Sequence, residues 1–408
     1  MTGTRSPLSI GRASLSRVLD FACDAGAFTA TDAMSATTLT RSTTIEAIDT
    51  LLHVGLLREL PNARDAGQYR AGRPARRFEL PADLGAVVGL DAGDTHLSVT
   101  VADLAGRTIL RRRADLDPAH SIPQRQAAIL AELDAVLSRG VVPGDRVLAL
   151  CAGVAAPVAR DGSSPPHPDG FWQRTNAGLI DLLADRAMVV EVKNDAQLAA
   201  AAEGSLGDAR GCRDYIALLA GERLGAGVVV DGHLLHGTHG GVGEMFAFDH
   251  VRGVGSAFGL GHVIEQRARS LLASGDVAAD GRLAALAAGR VDARTVLALA
   301  ADGDADALRV AELAGESLAR VVAVLGSMFD PERIIVCGAI AQGAEPVLAA
   351  ARARLTGQVH LPAPTLVASR LGADIVTRGA VSRALTSARR RALPRLAEQL
   401  LHSSQPRG

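Results

Sequence analysis

Four segments of this 408-residue chain end strand-like runs in residues suited to holding phosphates or hydroxyls. Residues 86–90 run into Asp91-Ala92-Gly93-Asp94-Thr95-His96, and residues 97–102 return, which reads as a hairpin. Its turn places an aspartate and a hydroxyl beside a glycine, the arrangement that binds phosphate and magnesium in actin-like nucleotide-binding folds. Residues 189–192 lead into Asn194-Asp195 and an alanine-rich helix over 196–203. Residues 215–219 run into Gly221-Glu222-Arg223-Leu224-Gly225-Ala226-Gly227 and a strand at 228–230. Residues 334–336 run into Gly338-Ala339 before a helix at about 345–355. Glycines at strand ends let a ligand approach the backbone closely.

A different chemistry is concentrated at the N-terminus. Apolar spacing predicts helices over residues 14–25, 31–35 and from Arg41 onward, the last capped by Thr40 and stopped at Gly55. With Ile45, Ile48, Leu51 and Leu52 as its packing stripe, this third helix presents Arg41, Ser42, Thr43, Thr44 and Ala47 outward. Small hydroxyl residues and an arginine at a helix N-terminus suit base edges and phosphates. Short strands at 56–60 and 78–80 flank a Gly-, Pro- and Arg-rich loop. Residues 58–77 hold six arginines (58, 64, 70, 73, 76, 77) against Glu59 and Asp65, a local net of +4. Three helices followed by two strands and a basic loop outline a winged helix-turn-helix, set against the alternative of a small helical protein-interaction domain.

Composition narrows the function classes. The net charge is −1, so a nucleic-acid contact must be local; with 3% aromatic residues, a base-stacking platform is disfavoured. A hydrophobic share of 48% supports large cores. No stretch of about 18 uncharged apolar residues suggests a membrane span, and no signal-peptide core is seen in the first 30 residues. Cys23, Cys151, Cys212 and Cys337 lie at neither metal-ligand nor redox spacing, which suits a reducing cytoplasm.

The wing signature Gly72-Arg73-Pro74-Ala75, the Asn194-Asp195-Ala196 turn and the run Gly237-Thr238-His239-Gly240-Gly241-Val242-Gly243-Glu244 stand in a telling order. With the phosphate-type loops, the chain resembles the ROK family (repressors, open reading frames and sugar kinases) in its transcriptional-regulator branch, over nearly its whole length. The resemblance implies an α/β architecture: a winged helix-turn-helix over residues 1–82, then a two-lobed actin-like, sugar-kinase-like (ribonuclease H-like) domain over 83–408. It implies that Asp195 holds the position of the family's catalytic base, and that Asn194, Asp195, Glu244 and Glu265 bind sugar hydroxyls. Against these roles stand Asp195 as a helix cap and Glu244 as a solvated loop residue.

The chain also departs from the family. Ala247 stands where the structural zinc site has its histidine, and no cysteine lies between Cys212 and Cys337, so no metal is expected. Asp94 and Glu222 bring negative charge to both phosphate loops, Ala339 replaces one of a glycine pair, and Ala156 replaces a glycine before Pro157. These changes predict no ATP cofactor and no kinase activity. The expected protein is a repressor whose degenerate kinase domain senses a sugar or sugar-like effector and binds a double-stranded DNA operator as a homodimer or homotetramer. The competing readings are an active sugar kinase with a DNA-binding head and a ligand-independent DNA-binding protein. A C-terminal helix at about 379–401 is expected to return to the first lobe.

Overall fold

The structure is a computed structural model describing residues 12–61, 75–137, 142, 146–221, 223–254, 256–278, 281–286, 291–355 and 362–403. Gly72-Arg73-Pro74 of the wing signature and Glu222 of the second phosphate loop lie outside the described residues.

The chain opens with α1 (Arg12–Ala25), β1 (Phe28–Thr29), α2 (Ala30–Thr37), α3 (Arg41–His53), β2 (Arg58–Leu60) and β3 (Arg77–Glu79). The three short strands form one antiparallel sheet in the order β1-β3-β2. The sequence reading missed β1, whose two residues are too few for a period. It exists because Phe28 and Phe78 are register partners and bury their rings 5.9 Å apart. In α3, Thr40 caps the N-terminus by accepting from the Thr43 amide. The buried stripe is Thr44, Ala47, Ile48 and Leu51, whereas Ile45 is 37% exposed. This corrects the expected outward placement of Thr44 and Ala47. Because Thr44 Oγ1 donates to the Thr40 carbonyl at 2.9 Å, its hydroxyl is satisfied within the helix and its methyl can face the core.

The first lobe contains β4 (Ala86–Ala92), β5 (His96–Asp103), β6 (Thr108–Asp115), α4 (Ile122–Leu137), β7 (Val147–Val154), α5 (Phe171–Asn176), α6 (Leu179–Leu182), β8 (Val189–Asn194) and α7 (Asp195–Leu206). The second contains β9 (Tyr215–Ala220), β10 (Leu224–Val230), β11 (His233–Leu234), α8 (Leu260–Ser274), α9 (Ala293–Ala301), α10 (Ala305–Phe329), β12 (Arg333–Cys337), α11 (Glu345–Leu355) and β13 (Thr365–Ala368). The sheets have matching orders, β6-β5-β4-β7-β8 and β11-β10-β9-β12-β13. Each is an antiparallel meander of three strands extended by two parallel ones. The near-continuous burial of β4 and β7 follows from helices on both faces. This repeated plan fits the two-lobed architecture that the family resemblance implied.

The chain then returns to the first lobe through α12 (Ile375–Ser387), a π-helical turn at Ala388–Ala392, and α13 (Leu393–Ser403). The α12 segment packs on α7, β4 and β7. One hydrophobic core runs from α1 through α13 and α12 to α7. Among the described residues, no helix is long and apolar enough to cross a membrane.

Candidate functional site: a carboxylate-lined cleft beside an occupied phosphate turn

Strand register brings the polar residues to one edge. Ala92 pairs with Val154, and Val154 with Asn194, so the C-terminal ends of β4, β7 and β8 stand in one row. That row carries Asp91, Asn194 and, one residue on, Asp195. From the second lobe, Glu244 forms a bridge with Gly225 of β10. Gly243 makes this possible: it has φ +94, and a Cβ there would collide with the Ala226 carbonyl. Asp91, Asp195 and Glu244 are thereby close enough for the last two to be coupled.

Asn194 is the N-cap of α7, where its Oδ1 accepts from the Gln197 amide at 3.0 Å. Its Nδ2 donates to the Ala156 carbonyl at 3.1 Å, so both ends of the side chain already work within the fold. The helix-capping role weighed for Asp195 therefore belongs to Asn194. Asp195 accepts the Ala196 amide through Oδ1 at 2.7 Å. It keeps a narrow opening to solvent, yet burial, Asp91 and Glu244 together push its pKa up to about 8. Burial raises Glu244 to about 7, with Arg223 opposing the rise. A carboxyl that keeps its proton near neutrality can donate a hydrogen bond to a hydroxyl as well as accept one.

Both folded values lie above the unfolded ones, so folding takes up protons between about pH 4 and pH 8. Stability must fall as pH rises through that window. Asp195→Asn is therefore expected to remove about 2 kcal/mol of the wild-type stability loss between pH 5 and pH 8, allowing for the opening to solvent. Urea unfolding at the two pH values checks this; an equal loss in both proteins contradicts the burial of the carboxyl.

The phosphate side is filled by the chain itself. Arg125 of α4 is 1% exposed and donates through Nη2 to the carbonyls of Ala92 (2.9 Å) and Gly93 (2.5 Å), with Asp94 O at 3.4 Å from Nη1. The His96 ring lies against Gly93 and reaches Asp91 Oδ2 through Nε2 at 3.0 Å. Arg174 pairs with Asp94 at 3.8 Å and stacks on Phe171. On the other lobe, Arg223 lies over Phe171, Phe246 and Phe258 at 5.3, 5.9 and 5.8 Å. His167 and Trp172 complete a cluster that reaches Phe246 across the cleft. A nucleotide's magnesium at the first turn would need Asp91, which His96 engages, and its phosphate would meet the His96 ring packed against Gly93. The residues present do not fit Mg-ATP.

The sequence reading missed this filling, although an arginine on the apolar stripe of α4, in line with Ile129 and Leu133, was its visible signal. Glu265 takes a different part from the expected one: its Oε1 accepts the Ala293 amide at the start of α9 at 3.2 Å, and Arg269 lies 3.9 Å from Oε2. Ala247 sits in a single 3₁₀ turn, Phe246–His250. Among the described residues, no three His, Cys, Asp or Glu side chains are placed to hold a metal, so the residues do not fit the family's zinc.

At the N-terminal head, Arg41 and Ser42 are exposed and Thr43 half-buried at the start of α3. Two of the six arginines at 58–77 are engaged internally. Arg58 binds Glu79 at 2.7 Å, and Arg76 binds Glu59 at 2.8 Å and Asp49 of α3 at 3.1 Å. The count of +4 overstated the charge available to a partner.

The ROK family model matches residues 87–386. The chain belongs to the ROK family. It is similar to both of the family's kinds of protein. A xylose repressor from Caldicellulosiruptor bescii is 24% identical over 213 residues, 51% of each chain. A glucokinase from Streptomyces coelicolor is 28% identical over 171 residues, 41% of this chain and 50% of the glucokinase. The chain thus spans about half the length of the curated relatives it matches. Among solved structures, a ROK family transcriptional regulator described as a homolog of the E. coli MLC protein superposes with a TM-score of 0.74 at 21% identity, covering 95% of this chain and 99% of that one. A Streptomyces griseus glucokinase in complex with glucose and AMPPNP gives 0.59 at 24% identity, covering 74% and 100%. At these identities, both likenesses speak for the fold.

Proposed function

We propose that this ROK protein is a DNA-binding transcriptional regulator, a repressor, whose kinase-like cleft senses a sugar or sugar-like effector and transfers no phosphate. The head over residues 1–82 is read as a winged helix, with Arg41, Ser42, Thr43 and Arg73 facing the operator. Asp195 and Glu244 hold the effector's hydroxyls. Asn194 supports them by capping α7 and offers at most the free lone pair of its Oδ1. The observation that carries the reading is the turn after β4: His96 packs against Gly93 and engages Asp91, the carboxylate a nucleotide's magnesium would need, while Asp195 and Glu244 are kept. An effector in the cleft changes the lobe angle, and in a homodimer this changes the spacing of two heads on DNA.

Retention of Asp195 is what favours the second reading, an active kinase with a head. A coupled assay with D-glucose and D-xylose separates the two: the regulator shows no Asp195-dependent ATP turnover. In the same preparation, sugar shifts the thermal midpoint of the wild type, and Asp195→Ala abolishes the shift while retaining the fold. A bound sugar at 100 times its Kd stabilises by about 2.7 kcal/mol, which makes the shift readable. Turnover that depends on Asp195 overturns the regulator reading in favour of the kinase; an unchanged shift in Asp195→Ala removes Asp195 from the cleft assignment.

A further inference from the structure

The return helix carries an irregularity with a clear chemical origin. Pro394 has no amide hydrogen, and its ring crowds the carbonyl four residues back, so a regular α-helix cannot pass through this point. The chain responds with the π turn Ala388–Ala392, in which the Leu393 amide reaches back five residues to the Ala388 carbonyl. The turn fans out three successive arginines. Arg389 pairs with Asp24 of α1 at 2.5 Å, Arg390 is the basic group that acts most strongly on Asp20 of α1, and Arg391 reaches Glu191 of β8 at 3.4 Å.

Glu191 is itself a hub. It accepts from Arg383 Nε and Nη2 at 2.7 and 2.9 Å, five residues before the π segment, and from the hydroxyl of Ser387, the residue just before it, at 2.7 Å. Burial would raise its pKa, but the Arg383 and Ser387 hydrogen bonds hold it lowered, so the carboxylate is charged and gripped. Glu191 lies three residues before Asn194 on the strand that delivers Asp195. The same helix is also pressed onto α7: a Cβ at Gly379 would collide with the Leu198 carbonyl. Below the arginines, α13 packs on α1, and Leu393 and Ala397 share a core with Leu15, Val18 and Leu19.

We infer that the π turn Ala388–Ala392 couples the cleft to the N-terminal head, with Glu191 receiving strand movement on one side and Arg389 passing it to Asp24 on the other. This rests on the proposed reading of the cleft as an effector site. A π turn suits the task because its ladder is already interrupted, so α13 can re-seat against α1 without breaking α12. Glu191, Arg389 and Arg391 are positioning residues: they touch neither effector nor DNA.

Hydrogen–deuterium exchange on the full chain tests the coupling. Glu191→Gln is expected to speed amide exchange in α1 and in residues 388–403 about tenfold, with α10 and α11 unchanged. With D-glucose or D-xylose as the probe, the wild type gains protection at β8–α7 and changes exchange at α1. Glu191→Gln and Arg389→Ala keep the β8–α7 protection and lose the α1 change, a split that a merely structural role does not produce. If neither sugar protects β8–α7 in the wild type, the sugar reading fails, and the sugar-free exchange of the two variants still decides the coupling. Unchanged α1 exchange without sugar in both variants, or an α1 response to sugar that survives in both, overturns it.

Discussion

Replacing Arg125 with methionine is expected to destabilise the protein by about 3–5 kcal/mol, among the largest effects available to one substitution outside an apolar core. The side chain is fully buried, and its guanidinium faces the carbonyls of Ala92, Gly93 and Asp94. Methionine fills much the same volume but donates nothing, and each buried acceptor left without a donor costs about 1–3 kcal/mol. Burial lowers the pKa of Arg125; Asp94 opposes the shift, and Arg174 adds to it, so the ion is held by geometry at some electrostatic cost. Urea unfolding reads the difference as a fall in the midpoint at constant slope. A loss below about 1 kcal/mol would mean that the turn is shaped without Arg125. The expected loss identifies Arg125 as the residue that holds the shape of the turn.

Much of this architecture was readable in the sequence, for reasons that differ by element. The runs β4, β9 and β12 are short, apolar and bounded by glycine or acidic residues, so strand ends and the loops beyond them could be placed. The return helix was visible as a long alternation of small apolar and basic residues, but its π turn was not, because only Pro394 hints at it. In α3, Ile48 and Leu51 are core as read, but Ile45 is exposed, and Thr44 and Ala47 are buried in its place. A threonine that satisfies its own hydroxyl looks polar to any pattern and packs as an apolar residue.

The site was legible where it is local and illegible where it is assembled. Asn194-Asp195 and Glu244 stood out as short motifs. That the Asn194 Nδ2 is also engaged depends on the Ala156 carbonyl 38 residues away. The stack of Arg223 on Phe171 joins residues from different lobes, and no spacing encodes it. Counting arginines gave the sign of the head's charge and included Glu59 but missed Glu79 and Asp49, which engage Arg58 and Arg76. This distinction matters for the head, because Arg76 ties the start of β3 to α3 through Asp49 and Arg58 ties β2 to β3 through Glu79.

The central claim is that the first 82 residues bind DNA, and its most direct test is the affinity of the full chain for a duplex selected from a random pool, followed by anisotropy against salt. Wild-type affinity is expected to fall steeply with salt, with a logarithmic slope of about −0.9 per phosphate contacted. Arg73→Ala is expected to weaken binding to all sequences and flatten that slope by about 1, since a wing arginine meets phosphate or the minor groove. Arg41→Ala, at the exposed start of α3, is expected to cost about 1–3 kcal/mol on the selected site and much less on random DNA. Arg58→Ala serves as the comparison and should change little, because its partner is Glu79. Selective loss in Arg41→Ala together with a flatter slope in Arg73→Ala is the result this account predicts; unchanged affinity and slope in both variants would contradict it.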